Sequence, residues 1–148
     1  MSAVQSQAHH TLSIATRGIG FTDVTAEVAD WLDHADAETG LLTVFIQHTS
    51  ASLTIQENAD PDVLADLTDA LERLSPATAD YRHTVEGPDD MPAHVKAMLT
   101  STSLQVPVIG GRMALGTWQG LYVIEHRARP HRRQIVLLFQ GTLREKAS

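Results

Sequence analysis

The stretch from Leu104 to Gln140 constrains the fold more than any other part of the chain. It holds four strand-like runs, Leu104–Ile109, Arg112–Thr117, Gly120–His126 and Arg133–Gln140, with no helical spacing between them. Connections this short join antiparallel neighbours, since a parallel pair needs a crossover of a dozen or more residues. Gly110-Gly111 between the first two runs is a hairpin signal. Pro107 cannot donate to a ladder, which puts its strand at an edge or beside a bulge.

Helical patterns sit earlier. Val24, Val28, Trp31, Leu32 and Ala35 recur at helical spacing, with Thr22 or Asp23 available as a cap and Gly40 closing the connection that follows. Asp60-Pro61 opens the clearest helix, with Asp60 at the cap and Pro61 at the first helical position. Val63, Leu64, Leu67, Leu71 and Leu74 form its apolar stripe, and Ser75-Pro76 stops it. A further short helix is expected over His94–Leu99. Strands are expected at Thr11–Thr16, Leu41–His48 and Leu53–Ile55. Strands and helices are partly segregated, which predicts an α+β fold and disfavours a doubly wound sheet.

The 148 residues, 43% of them apolar, suit one domain with a real core, expected over 11–144. Residues 1–10 are polar, lack a signal-like apolar region, and read as a flexible tail. A net charge of −7 disfavours a general nucleic-acid binder. No apolar run approaches a membrane span, so a soluble, cytoplasmic protein is expected. Without cysteine, any metal must sit on His, Asp or Glu. Glycine motifs for nucleotides and the GxSxG elbow are missing, which disfavours dinucleotide enzymes, P-loop NTPases and elbow-type serine hydrolases.

Chemistry concentrates in Tyr81–His94, which packs His83, His94, Arg82, Glu86, Asp89 and Asp90 into one polar stretch. Asp90 and His94 are four apart and would share a helix face, where a carboxylate can orient an imidazole. Asp90 is equally a helix cap for the Ala93 amide. The period of two places His48 on the same core-directed strand face as Leu42, Val44 and Ile46. His48, His83 and His94 could thus meet at one end of a sheet and hold a divalent metal, zinc or magnesium, although no HExxH-type spacing supports this.

Three further groups have two readings each. Trp118 and Gln119, between Gly116 and Gly120, either present a ring and an amide to a ligand or form a plain turn. Glu125 continues the apolar face of Leu121 and Val123, so it is either an acid/base group or the partner of a nearby arginine. The Arg127–Arg133 cluster is either an anion clamp or a solvated hairpin tip.

Taken together, His48-Thr49-Ser50-Ala51-Ser52-Leu53 with Glu57 and Asp60, Tyr81-Arg82-His83-Thr84 with Glu86-Gly87, Asp89-Asp90-Met91-Pro92-Ala93-His94, Gly116-Thr117-Trp118-Gln119-Gly120, Glu125 and Gly141 resemble the YjbQ family over about residues 12 to 143. The resemblance implies packed, sandwich-like β-sheets with flanking helices. It also implies a homotrimer with pockets near subunit contacts. Members are often called secondary thiamine-phosphate synthases.

Three functional readings follow. In the first, the protein joins a pyrimidine diphosphate to a thiazole phosphate. Asp89 and Asp90 would hold a divalent ion, Arg82, His83 and His94 would contact phosphate, Thr49 and Ser50 would help to bind substrate, and Trp118 would stack on a ring beside Gln119. In the second, His48, His83 and His94 hold a metal in a hydrolase or other small-molecule enzyme, with Asp90 or Glu125 as base. In the third, the polar cluster binds a phosphorylated metabolite or a partner protein without catalysis.

Overall fold

The computed structural model describes residues 5–145. Strands β1 (Ser6–Ala15) and β2 (Gly20–Asp23) lead into helix α1 (Thr25–His34), and strands β3 (Ala37–Ile46) and β4 (Ala51–Glu57) follow. Helices α2 (Pro61–Leu74) and α3 (Asp90–Leu99) come next, and the chain finishes in β5 (Ser103–Ile109), β6 (Arg112–Met113), β7 (Gln119–Glu125) and β8 (Arg132–Leu143). A five-stranded sheet has the order β1-β8-β3-β5-β6, and a three-stranded sheet the order β2-β7-β4. Each pairing within them is antiparallel.

The expected α+β architecture of packed sheets with helices is therefore present. The inward residues of the large sheet, among them Leu42, Val44, Val106, Leu137 and Phe139, meet Leu53, Leu121 and Val123 of the small one. Val28 and Leu32 of α1 complete this core. Strands β3, β5 and β8 alternate between core and outside, so a slip of one residue there would expose the inner set.

Several boundaries differ from expectation. The tail read over 1–10 is strand from Ser6 onward, and Met1–Val4 lie outside the described residues. Its polar side chains hid the strand, because β1 is an edge whose pairing with β8, Ser6 opposite Gly141 to Ala15 opposite Arg132, is made by backbone. Gly40 does not end a connection but lies inside β3 opposite Gly141. A Cβ there would stand 2.1 Å from the Gln140 carbonyl oxygen, so the β3–β8 contact requires glycine for its closeness. The run Arg112–Thr117 is strand only over its first two residues.

The helix ends are simple to explain. Asp60 accepts the Asp62 amide at 2.9 Å and caps α2 as expected. For α1 the Asp23 carboxylate accepts the Thr25 amide at 2.8 Å. α3 begins earlier than expected, at Asp90, with Asp89 as the capping residue. The Ala93 amide goes to the Asp89 carbonyl at 3.1 Å, so the Asp90 carboxylate is not the cap and is free for other work. No helix among the described residues is long and apolar enough to cross a membrane.

Candidate functional site

The connection from α2 to α3 delivers the polar residues to one place. Tyr81 anchors it by donating its hydroxyl to the Pro76 carbonyl at 3.0 Å, and Ser75 donates to the Pro92 carbonyl at 3.3 Å. Asp90 and His94 then fall on one face of α3, as their spacing of four requires. Asp90 Oδ2 lies 2.8 Å from His83 Nε2 and 3.1 Å from His94 Nε2. These three ligand atoms all lie within 4.8 Å of one another. Asp90 is only 4% exposed, whereas His83 is exposed and His94 half-buried.

The far side of His94 defines its tautomer. Its Nδ1 is 3.0 Å from the Thr49 carbonyl oxygen, which only accepts, so Nδ1 carries a proton. In neutral imidazole that leaves a lone pair on Nε2, aimed at a carboxylate oxygen. Two lone pairs at this distance need a cation between or beside them, a proton or a metal ion. Thr49 therefore serves the site through its backbone rather than its side chain.

Arg127 fixes the acids from behind. Its Nε donates to Asp89 Oδ2 at 2.9 Å, its Nη1 to Asp90 Oδ1 at 2.8 Å, and its Nη2 to the Glu86 carbonyl at 2.9 Å. The Ala128 amide adds a bond to Asp89 Oδ2 at 2.9 Å. The Arg127 guanidinium holds the Asp89 carboxyl below the usual carboxylate range, and Asp89 in turn raises the Arg127 pKa. With Oδ1 so held, Asp90 offers Oδ2 alone to the histidines. From the sequence, Arg127 belonged to a cluster read as either an anion clamp or a solvated hairpin tip. The signal for its real role, an arginine two residues after a strand facing an Asp-Asp pair, depends on a contact between residues 37 apart in sequence.

Other expected members stand elsewhere. β3 ends at Ile46, and His48 lies in the loop beyond it. His48 Nε2 accepts the Gln134 amide at 2.8 Å, and Nδ1 lies 3.2 Å from Arg133 Nη1. Both ring nitrogens are thus turned toward β8, and His48 is outside the group formed by His83, Asp90 and His94. The meeting of three histidines does not occur within this chain.

Glu125 is wholly buried. It accepts from Thr16 Oγ1 at 2.6 Å, from Arg133 Nε at 2.8 Å, from the Arg127 amide at 3.1 Å, and from Arg133 Nη2. Burial alone would raise its pKa, but the Arg133 and Thr16 bonds outweigh it and hold Glu125 below the usual range. Of its two readings, the arginine partner is the one realised. Glu125 is no catalytic base, having no exposure and no uncommitted oxygen. Ser50 accepts from the same Arg133 Nη2, at 3.0 Å through its hydroxyl and 3.2 Å through its carbonyl.

Trp118 and Gln119 form an exposed turn in which Gln119 Oε1 accepts the Gly116 amide at 2.8 Å. Gln119 begins β7, while Arg127 lies beyond its other end, Glu125, which is six residue steps or roughly 20 Å away along an extended strand. The plain turn is the better reading within this chain. Arg82 is exposed and makes no hydrogen bond among the described residues.

A second buried network was not anticipated. His126 is 1% exposed, with Nε2 2.8 Å from Ser52 Oγ, and burial followed by nearby Lys96 lowers its pKa to about 4. Thr100 Oγ1 donates to Ser52 Oγ at 2.5 Å, and buried Lys96 pairs with Glu72. A Ser–His hydrogen bond is also the geometry of an activated nucleophile, but Ser52 has no exposure and cannot meet a substrate.

Beside His83 opens a cleft of about 280 Å3 bordered by Tyr81, Thr84, Pro88 and Met91. Of the His/Asp cluster, His83 lines this cleft.

Comparisons with known proteins agree with the resemblance drawn from the sequence. The family described as UPF0047 protein YjbQ-like matches residues 10–142. UPF0047 protein sll1880 of Synechocystis is 47% identical over 141 residues, covering 95% of this chain and 96% of the relative. UPF0047 protein YjbQ of Salmonella typhimurium is 43% identical, covering 88% and 96%. A solved YjbQ/UPF0047 structure from Clostridium acetobutylicum superposes with a TM-score of 0.79 at 36% identity, covering 89% of this chain and 98% of its own. A YjbQ-like protein of unknown function from Sulfolobus solfataricus, at 18% identity and a TM-score of 0.86, shares the fold over 93% of this chain and 99% of its own. The sequence matches and the curled pair of antiparallel sheets agree: this chain belongs to the YjbQ-like UPF0047 family.

Proposed function

We propose that the chain is a metal-dependent enzyme acting on a small molecule, with a zinc-type divalent ion held by His83 Nε2, His94 Nε2 and Asp90 Oδ2. The observation that carries this is the convergence of three ligand atoms within 4.8 Å, one of them an imidazole lone pair fixed by the Thr49 carbonyl. Two nitrogens and one oxygen favour zinc over magnesium, which prefers oxygen and water. Three protein ligands leave a position open, as catalytic rather than structural zinc sites do. When bound, such an ion lowers the pKa of water and polarises an oxygen of the substrate.

The chain's own residues do the rest. Thr49 fixes the His94 tautomer, Arg127 holds Asp90 Oδ1 so that Oδ2 alone faces the histidines, and the cleft beside His83 admits the substrate. The thiamine-phosphate reading has less support. It needs Asp89 and Asp90 for an ion and cations for diphosphate, but Asp89 is engaged by Arg127 and the Ala128 amide.

The test is metal analysis of the purified chain with zinc titration. We expect one zinc per chain, lost on His83→Ala, His94→Ala or Asp90→Asn. No bound metal and no affinity on titration would overturn the reading.

The homotrimer implied by the resemblance is also a proposal. Leu41 and Phe45 point outward from β3 and Ile109 from β5, so the outer face of the large sheet carries exposed apolar side chains. Light scattering on the eluted protein measures the assembly directly. A monomer at working concentration refutes it.

A further inference from the structure

The His/Asp cluster leaves one region of the molecule with hydrogen-bond donors that it does not use. The β3–β4 connection, with His48, Thr49 and Ser50, walls an open cleft of about 490 Å3 that Thr102 also borders. His48 accepts the Gln134 amide at Nε2, so neutral imidazole carries its proton on Nδ1. Burial and the neighbouring Arg133 both lower the His48 pKa, which favours the neutral form. Nδ1–H therefore faces Arg133 Nη1, a second donor, at 3.2 Å, and neither can accept from the other.

Arg133 is only 4% exposed. Its Nε and Nη2 are committed to Glu125 and Ser50, while Nη1 meets no oxygen acceptor among the described residues. The backbone amides of His48, Thr49 and Ser50 likewise have no acceptor among the described residues. Of these donors Arg133 is the buried one, and leaving Nη1 without an acceptor is costly; the loop amides border open solvent, and an oxyanion that reached Nη1 past them would relieve the cost.

We propose that this cleft is a subsite for a small oxyanion, a phosphate or carboxylate group carried by the substrate, bound through the His48, Thr49 and Ser50 donors that line it, with the buried Arg133 guanidinium directly behind them. Glu125 balances the charge of Arg133, so recognition comes from directed donors more than from net charge. Thr49 ties the subsite to the His/Asp cluster, since its carbonyl accepts from His94 Nδ1 at 3.0 Å. The oxyanion subsite stands on its own donors. Only its assignment to the substrate of the metal centre rests on the function proposed above.

The experiment is titration of the full-length, chelator-treated protein with inorganic phosphate, and separately with acetate, followed by nitrogen–proton NMR. Saturable shifts are expected at the 47–50 amides and at the Arg133 guanidinium. His48→Ala should weaken binding about tenfold, as loss of one hydrogen bond to a charged group does, while leaving zinc binding unchanged. His83→Ala should abolish zinc binding and leave phosphate binding intact, so failure of the metal reading and failure of this one are separable. The wild-type Arg133 signals keep the test decisive if His48→Ala fails to fold. Absence of saturable shifts with either anion overturns the proposal. So does binding that emerges only when an assembly is diluted to monomers, because a side chain of a second copy would then be the natural occupant.

Discussion

Replacing Glu125 by glutamine separates a structural acid from a catalytic one. The carboxylate is fully buried and accepts from Thr16, from the Arg127 amide and twice from Arg133. Glutamine has nearly the same shape but one acceptor oxygen instead of two. If its oxygen keeps Thr16 Oγ1 and Arg133 Nε, its NH2 faces Arg133 Nη2 and the Arg127 amide, donor against donor. Arg133, itself 4% exposed, would also lose its counter-charge. Breaking a buried pair by removing one partner costs about 3–5 kcal/mol. That is a large share of the roughly 5–15 kcal/mol that stabilises a typical domain, and it corresponds to a fall in Tm of about 10 °C. Urea unfolding of wild type and Glu125→Gln at equal concentration measures the difference. A double variant, Glu125→Met with Arg133→Met, should recover much of the loss because no charge remains buried. The reasoning is refuted if Glu125→Gln unfolds within about 0.5 kcal/mol of wild type, the range of ordinary surface changes.

Two other outcomes follow from the same geometry. His126 has its pKa lowered to about 4 when folded, so between that value and its ordinary one of 6.5 the unfolded chain binds the proton that the folded chain refuses. This stability is present above about pH 6.5 and is lost as pH falls toward 4, by up to roughly 3 kcal/mol. His126→Gln should flatten the stability profile between about pH 6.5 and 4.5, and an unchanged slope in urea titrations would rule this out. For the site, Arg127→Ala should weaken zinc binding about 10- to 100-fold with Asp90, His83 and His94 all in place. Competition against a chelating dye reads this directly, and equal affinity would show that Arg127 only holds the loop.

The strand-rich end of the chain was legible because it obeys local rules. Gly110-Gly111 makes its hairpin, and the inward alternation of β3, β5 and β8 follows period two. The Asp60-Pro61 start of α2 was legible for the same reason, since a cap is settled within a few residues. His83, Asp90 and His94 could be named because they share one segment and, for two of them, one helical face. His48 was misplaced because extending β3 by two residues carried the period past the strand's true end. Arg127 and the Glu125–Arg133 pair were unresolved because their partners are chosen by tertiary packing, and the Ser6–His10 half of β1 was missed because its partner lies about 120 residues or more away.

That distance has a consequence for how the chain is made. β8 lies between β1 and β3 and pairs with both. Ribosomes add about 5–20 residues per second, so β1 waits on the order of ten seconds before residues 132–143 emerge to receive it. Throughout that interval the nascent chain exposes a ten-residue edge that another nascent chain could copy. The polar residues of β1, with His9, His10, Thr11 and Ser13 in succession around Leu12, make a poor template for aggregation. The same polar composition that disguised the first half of β1 as a tail protects the strand while it has no partner.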